Sequence, residues 1–487
     1  MSSDAAVQIA EASSRPNSRF AFLRRLPFLI TMTVLTIVVA VPLGYRSSRL
    51  AGVPPIDEIV DRETEGRIDI DPDQNAFTFY NRAWQLIPPG LDSEPVEKAV
   101  ELLDTGDWED VSPEAKRALD ECEDLLAEWK RGSDLDRGVR VQPADLYWPD
   151  QLDSTSAQLV SQLAVLRSAK AMHEGRSEDA WQWLRAVFRF SRHVGNPGIG
   201  YDRFLGISLH EMACRHIVRW AVHEDVTAEQ LETVRLEVRD IYRLTVSKSE
   251  SLKTSYLVTM SILSSGEWRE YADHSAIAKG LPERLHDAYF FVIAEPELGR
   301  VLIRHGYANL LSQCDRPRWD RSVAGPRLEL FQPDGTENPA LMDPAELTDL
   351  LRRSPLATVL LPSASFCEFG DSEQARQAAL ELCLAAELFR RQHGRHPESL
   401  QALVPEFLKE IPRDVYGSSL ADRMLMIYRE TEKLHELSQE TPSPAGLIIY
   451  SRGSDGNDDD GDIEGLIDVG LRIPFPAAGP ATGKNDG

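Results

Sequence analysis

Apolar positions follow three different patterns along the chain. From Leu26 to Tyr45 they form a run of 20 residues without a charge, LPFLITMTVLTIVVAVPLGY. At about 1.5 Å per residue such a helix is about 30 Å long, the thickness of a bilayer's hydrocarbon core. In lipid the backbone must satisfy its own hydrogen bonds, so helix is expected in spite of the β-branched Thr, Val and Ile. Pro27 falls in the first turn, where a missing N–H costs little, and Pro42 can kink the last turn. The run is longer than the apolar segment of a cleaved signal peptide, and no A-x-A-like site follows it. An uncleaved anchor through the lipid bilayer is the expectation.

After a linker at 46–75, rich in Ser, Arg, Pro and acids, the pattern takes a period of 3.6. In SPEAKRALDECEDLLAEWKRG, Ser112 suits an N-cap and Pro113 the first helical position. Leu119, Cys122, Leu126 and Trp129 then recur at helical spacing until Gly132. Two further helices are predicted at 154–174 and 177–194, joined at Glu174-Gly175-Arg176. Others are predicted at about 201–223, 226–247, 250–264 and 282–310. Ala171, Gly175, Ala180 and Leu184 resemble the small-residue spacing of one tetratricopeptide helix pair, but no 34-residue period extends along the chain. Residues 315–346, rich in Pro, Asp and Asn, are expected to form a long connection and a domain boundary.

From Asp371 the pattern changes again. A strong amphipathic helix is predicted at 372–393, with Ala379, Leu382, Ala386 and Phe389 on its buried side and His393-Gly394 at its end. A short helix near Pro397, a turn at IPRDVYG, and strand-like runs at 423–430 and 445–453 follow, with a third in LIDVGLRIP. The expected fold is therefore mainly α, with one N-terminal transmembrane helix, a helical-hairpin ectodomain and a small C-terminal α+β domain. Its segments are a cytoplasmic tail at 1–25, the span at 26–45, the linker at 46–75, a helical domain at 76–365, the α+β domain at 371–476 and a disordered tail at 477–487.

Charge sets the orientation and narrows the partners. The 487 residues carry 53 Lys and Arg against 78 Asp and Glu, a net −25. Phosphate contacts need a surplus of cations, so nucleic acid is not an expected partner. Residues 1–50 carry +4, which leaves −29 for the remainder. Arg15, Arg19, Arg24 and Arg25 precede the span, while Arg46 and Arg49 follow it before the chain turns acidic. The positive-inside rule then favours a single pass through the cytoplasmic (inner) membrane, N-terminus in, with the bulk on the periplasmic or exterior side.

Candidate chemistry is sparse. The five cysteines have no CxxC spacing. Cys122 and Cys383 read as small buried hydrophobes, and a pairing of Cys367 with Cys383 stays open in an oxidising compartment. His210-Glu211-Met212-Ala213-Cys214 begins like a zinc-protease HExxH but ends in the wrong ligand. His210 and Cys214 could still share a metal, with His216 nearby; two partly exposed histidines on a helix is the plainer reading. Trp181, Trp183, Phe188 and Phe190 could form an aromatic strip, or more simply pack the hairpin. There is no GxSxG elbow, phosphate loop or GxGxxG. No catalytic residue is assigned.

One segment stands apart. Between Ser451 and Asp462, Asp455, Asp458, Asp459, Asp460 and Asp462 place five carboxylates within eight residues. Their repulsion disfavours a compact loop unless a cation offsets it, and Ca²⁺ takes 6–8 oxygens in flexible geometry. Gly453, Gly456 and Gly461 permit the turns. The loop is not an EF-hand, because Asp460 stands where Gly is required and no Glu stands at position twelve. A solvated acidic loop without a specific ion is the other reading.

The phrases AELFRRQHGRHP, LQAL, IPRDVYG and IYSRGSDGNDDDGDI follow one another in this region. In kind and order they resemble the globular part of the major pseudopilin of type II secretion systems, over about 105 of the 487 residues. The family's processed N-terminus with its methylatable Phe is absent, and about 325 residues separate the span from the resemblance. The expectation is a pseudopilin-like head on a membrane-anchored helical scaffold. That resemblance implies a calcium ion in the acidic loop, with Asp455, Asp460 and Asp462 carried over by phrase and Asp458 added by proximity. Taken together, the chain reads as a non-enzymatic, membrane-anchored scaffold or interaction protein of the cell envelope, with protein partners and a calcium-stabilised C-terminal domain, and with a secretion-related role open. An envelope hydrolase whose active site forms no sequence motif is the alternative.

Overall fold

A computed structural model describes residues 18–104, 106–146, 152–196, 198–273, 282, 285–321, 330–331, 342–362, 365–429, 446–463 and 468–475. Most of the expected 315–346 connection, the first 17 residues and the C-terminal tail lie outside the described residues. The chain divides into two compact units: 1–57 with 266–305 and 349–361, and the remainder.

The first unit contains α1 (Ser18–Ala51), the helix expected at 26–45, which runs six residues past Tyr45. Its stretch Ile30–Ala51 is long and apolar enough to cross a membrane. Beyond the apolar run, Arg46 donates to Phe291 O at 2.7 Å and pairs with Glu297 at 2.8 Å, and Arg49 donates to Arg353 O at 3.0 Å. The single helix expected at 282–310 is broken into His286–Val292 and Glu297–Gln313. Ala294 sits in the left-handed region (φ 67°), and Pro296 has no N–H to continue the ladder.

The second unit is layered. The helices are α2 (Ala76–Trp84), α3 (Glu94–Leu102), α4 (Pro113–Glu121), α5 (Glu123–Ser133), α6 (Ser154–His173), α7 (Ser177–Val194), α8 (Gly200–Val222) and α9 (Ala228–Tyr242). Ser112 caps α4 as its sequence suggests, accepting from Ala115 N at 3.2 Å. The expected single helix there is two, because Cys122 leaves helical geometry (φ −100°, ψ 19°). The hairpin α6–α7 falls on its predicted bounds, with Gly175 at φ 73° in the turn. Trp181, Phe188 and Phe190 are buried in its packing.

Helix α10 (Lys248–Ser265) follows, and the long helix α11 (Ser365–His393) packs on α8 and α9 and carries the sheet β1 (Leu425–Arg429), β2 (Gly446–Ser451) and β3 (Val469–Pro474). The sheet is antiparallel with β2 in the centre; Ile448 faces Ile427 on one side and Arg472 on the other. Leu447, Ile449, Leu471 and Ile473, at the period of two that a strand face requires, share one hydrophobic cluster with residues of α2 through α9 and with Leu380, Leu384 and Leu388 of α11. The sequence boundary between 365 and 371 coincides with no break in this packing.

Candidate functional site

The acidic loop is built on the end of β2. In the IPRDVYG turn, Asp414 is fully buried, accepts from Tyr416 N at 2.9 Å and from the Ser451 hydroxyl, and pairs with Arg452 at 3.1 Å. This fastens the turn to the strand end from which the loop departs. The loop then folds back over the sheet face opposite α11. Gly461 is the tightest point: φ is 72°, and a Cβ there would lie 3.1 Å from Ile427 Cγ2 and 3.2 Å from the Tyr450 ring.

The predicted ligands are placed as follows. Asp455 accepts from Asn457 N and Asn457 Nδ2, both at 2.9 Å, and these bonds hold its carboxyl below the usual range. Asp458 accepts from the Tyr450 hydroxyl at 2.8 Å and from Asp460 N at 3.2 Å. Asp460 is exposed and Asp462 half-buried. Sequence reasoning missed Asp468. It is 2% exposed, and its Oδ2 accepts from Gly461 N at 2.9 Å and Asp462 N at 3.2 Å. Its Oδ1 is buried without a hydrogen-bond partner, as is Oδ2 of Asp459. Burial, followed by the charges of Asp459 and Asp458, pushes the Asp468 carboxyl up to about 6. Burial and the charges of Asp455, Asp458, Asp462 and Asp460 raise Asp459 as well. These two orphaned oxygens and the neighbouring carboxylates fit a cation. Still, no three His, Cys, Asp or Glu side chains stand together as a ready-made metal shell among the described residues. The available signal for Asp468 was an acid at the entrance to an apolar strand.

The half-motif on α8 is a core feature. Cys214 Sγ lies 3.3 Å from His210 Nε2, and Gln377 Oε1 lies 3.4 Å from the same nitrogen. Both histidines expected to be partly exposed, His210 and His216, are buried; α8 is covered on more sides than its motif suggested. Burial and then the Arg192 charge push His210 down to about 3. Beside it lies an ionic cluster that no sequence motif marked. Glu373 pairs with Arg192 at 2.6 Å and with Arg203, all three buried. Burial alone would raise the Glu373 carboxyl; the two guanidiniums outweigh it and hold it at about 2. The five cysteines are buried and free. Cys367 contacts Cys314, and Cys383 lies near Cys214, so the open pairing of Cys367 with Cys383 is not formed.

A cavity of about 410 Å³ opens where α6, α7 and α8 meet the loop after α3. Leu103, Val165, Met172 and Leu184 line it together with Trp108 and Trp220. His216, buried, and His173 and His223, exposed, also line it, as do Asp107, Glu109 and Asp225. Ser168 is present, but its hydroxyl donates to Ala180 O at 3.0 Å. Comparison with family models, curated proteins and solved structures returns no match to this chain.

Proposed function

We propose that the chain is a membrane-anchored, non-enzymatic interaction protein of the cell envelope, with its acidic loop locked by calcium. The observation that carries the anchor is the surface of α1: Ile30, Leu35, Val38 and Val41 are all more than half exposed, Val38 at 61%. An apolar surface on every side of a helix has its stable environment in lipid. Reporter fusions at Gly487 test the topology: activity outside the cytosol is expected, and activity only in the cytosol overturns it.

In this reading calcium is structural. Asp458, Asp459 and Asp468 contribute carboxylates to it together with Asp460 and Asp462, and the pseudopilin resemblance adds Asp455. The ion adds positive charge among these carboxylates. The support is the pair of orphaned buried oxygens and the raised Asp468 carboxyl, with the phrase order of the C-terminal region behind them. Calcium should raise the melting temperature of the full-length chain, and equal melting in calcium and in chelator overturns the proposal. Partners retained from solubilised membranes would identify the interaction.

The envelope hydrolase remains a second reading, because the helical cavity gathers His, Asp and Ser. Against it, Ser168 donates to a backbone carbonyl instead of to an imidazole, so the nucleophile–base link is missing. Turnover of ester or amide substrates by the purified chain, lost in S168A, would favour it over the scaffold.

A further inference from the structure

We infer that the cavity between α6 and α8 binds a small organic ammonium ion with an apolar body. The inference is independent of the membrane and calcium readings, since every lining residue belongs to the helical layer.

Size is the first argument. A cavity of about 150 Å³ accommodates one benzene. The 410 Å³ here therefore takes an aromatic ring and a short chain, within the range of small-molecule pockets. Its inner wall of Leu103, Val165 and Leu184 suits an apolar group.

A second observation is an unmet hydrogen bond. His216 is 5% exposed and is one of the residues lining the cavity, and its Nε2 is buried with no partner among the described residues. Burial, with Arg215 and Arg219 nearby, keeps the ring neutral at physiological pH. In its Nδ1–H tautomer it offers Nε2 as an acceptor to an N–H donor. Leaving such a group without a partner is unfavourable, so the protein gains when a ligand supplies one.

Charge selects a cation. Asp107, Glu109 and Asp225 line the mouth against one lining guanidinium, Arg219. Both terminal nitrogens of Arg219 are committed, to Leu103 O and to Gly106 O, with Asp107 at 3.4 Å, so an anion finds no free fork there. One face of Trp108 already holds a cation, Lys116, whose Nζ is 5.2 Å from the ring centroid. A ligand carboxylate would meet three carboxylates, against which stand only Arg219 and Lys116, so the balance at the cavity favours a ligand ammonium.

The test is calorimetric titration of the full-length chain in lipid nanodiscs with phenethylammonium and, separately, with 3-phenylpropionate of similar shape. Phenethylammonium should bind, and phenylpropionate should bind about tenfold more weakly or worse. The double replacement Glu109→Gln with Asp225→Asn, at exposed positions that leave the core untouched, should weaken the ammonium about fivefold or more. Ala169→Trp fills the space and should abolish binding, with melting measured in parallel. Equal affinity for the two probes, no binding of either, or unchanged binding in the double variant overturns the inference.

Discussion

Glu373 sits between two arginines in a core that excludes water, so its charge is required there. Replacing it by Gln keeps the shape and strands two guanidiniums, for which about 3–5 kcal/mol of destabilisation is expected at neutral pH. Its folded pKa, about 2, lies below its ordinary 4.5. The contribution is therefore complete above pH 4.5 and is lost as pH falls from there towards 2. Urea unfolding of wild type and E373Q across this window should show the gap closing in acid; a constant gap would contradict the pairing. Asp468 has the opposite sign. Its carboxyl, raised from 3.8 to about 6, costs stability as pH rises through that interval. In chelator at pH 8, D468N should melt higher than wild type by an amount corresponding to about 1–2 kcal/mol. In calcium the order should reverse. At this scale the sequence was least informative. Asp455 to Asp462 were visible because they are adjacent, whereas Glu373 meets Arg192 and Arg203 across some 170 residues and more, a proximity that only the fold creates.

Helices and strands were legible wherever the apolar period was uninterrupted, as in α6, α7, α8 and the three strands. The misses have local causes: Cys122 and Ala294 leave helical geometry inside runs whose hydrophobic period continues through them. Close approach of elements depends on single residues. Gly206 of α8 faces α7 so tightly that a Cβ would lie 2.8 Å from Ser191 O and 3.2 Å from Gly195 N. Alanine ordinarily stabilises a helix by about 1 kcal/mol relative to glycine. Here the obstacle is backbone, which cannot swing aside, so Gly206→Ala should instead destabilise by about 1–3 kcal/mol in urea unfolding. A gain in stability would show that the hairpin and α8 are less closely packed than described.

For the whole molecule, the periodicities told which faces are apolar but not which faces meet. The C-terminal region reads as a separate head, yet Leu380, Leu384 and Leu388 share a cluster with α8 and α9. A fragment of residues 371–487 should therefore show no cooperative melting by circular dichroism, with or without calcium, while the full chain does. A sharp transition in the fragment would mean that the sheet side of α11 suffices to fold it.

The shared core also sets a timetable for biosynthesis. Helices α8 and α9 are complete once Tyr242 has been made, but their covering helix and strands end only at Pro474, about 230 residues later. At roughly 5–20 residues per second the ribosome takes roughly 12–46 s to deliver them. Helices α6 and α7 can pack against them at once, but the faces of α8 and α9 that α11 covers stay open until His393 has been made. Completion of the core around α8 and α9 therefore waits on the last quarter of the chain, and the open face is where a holding factor would act on the nascent protein.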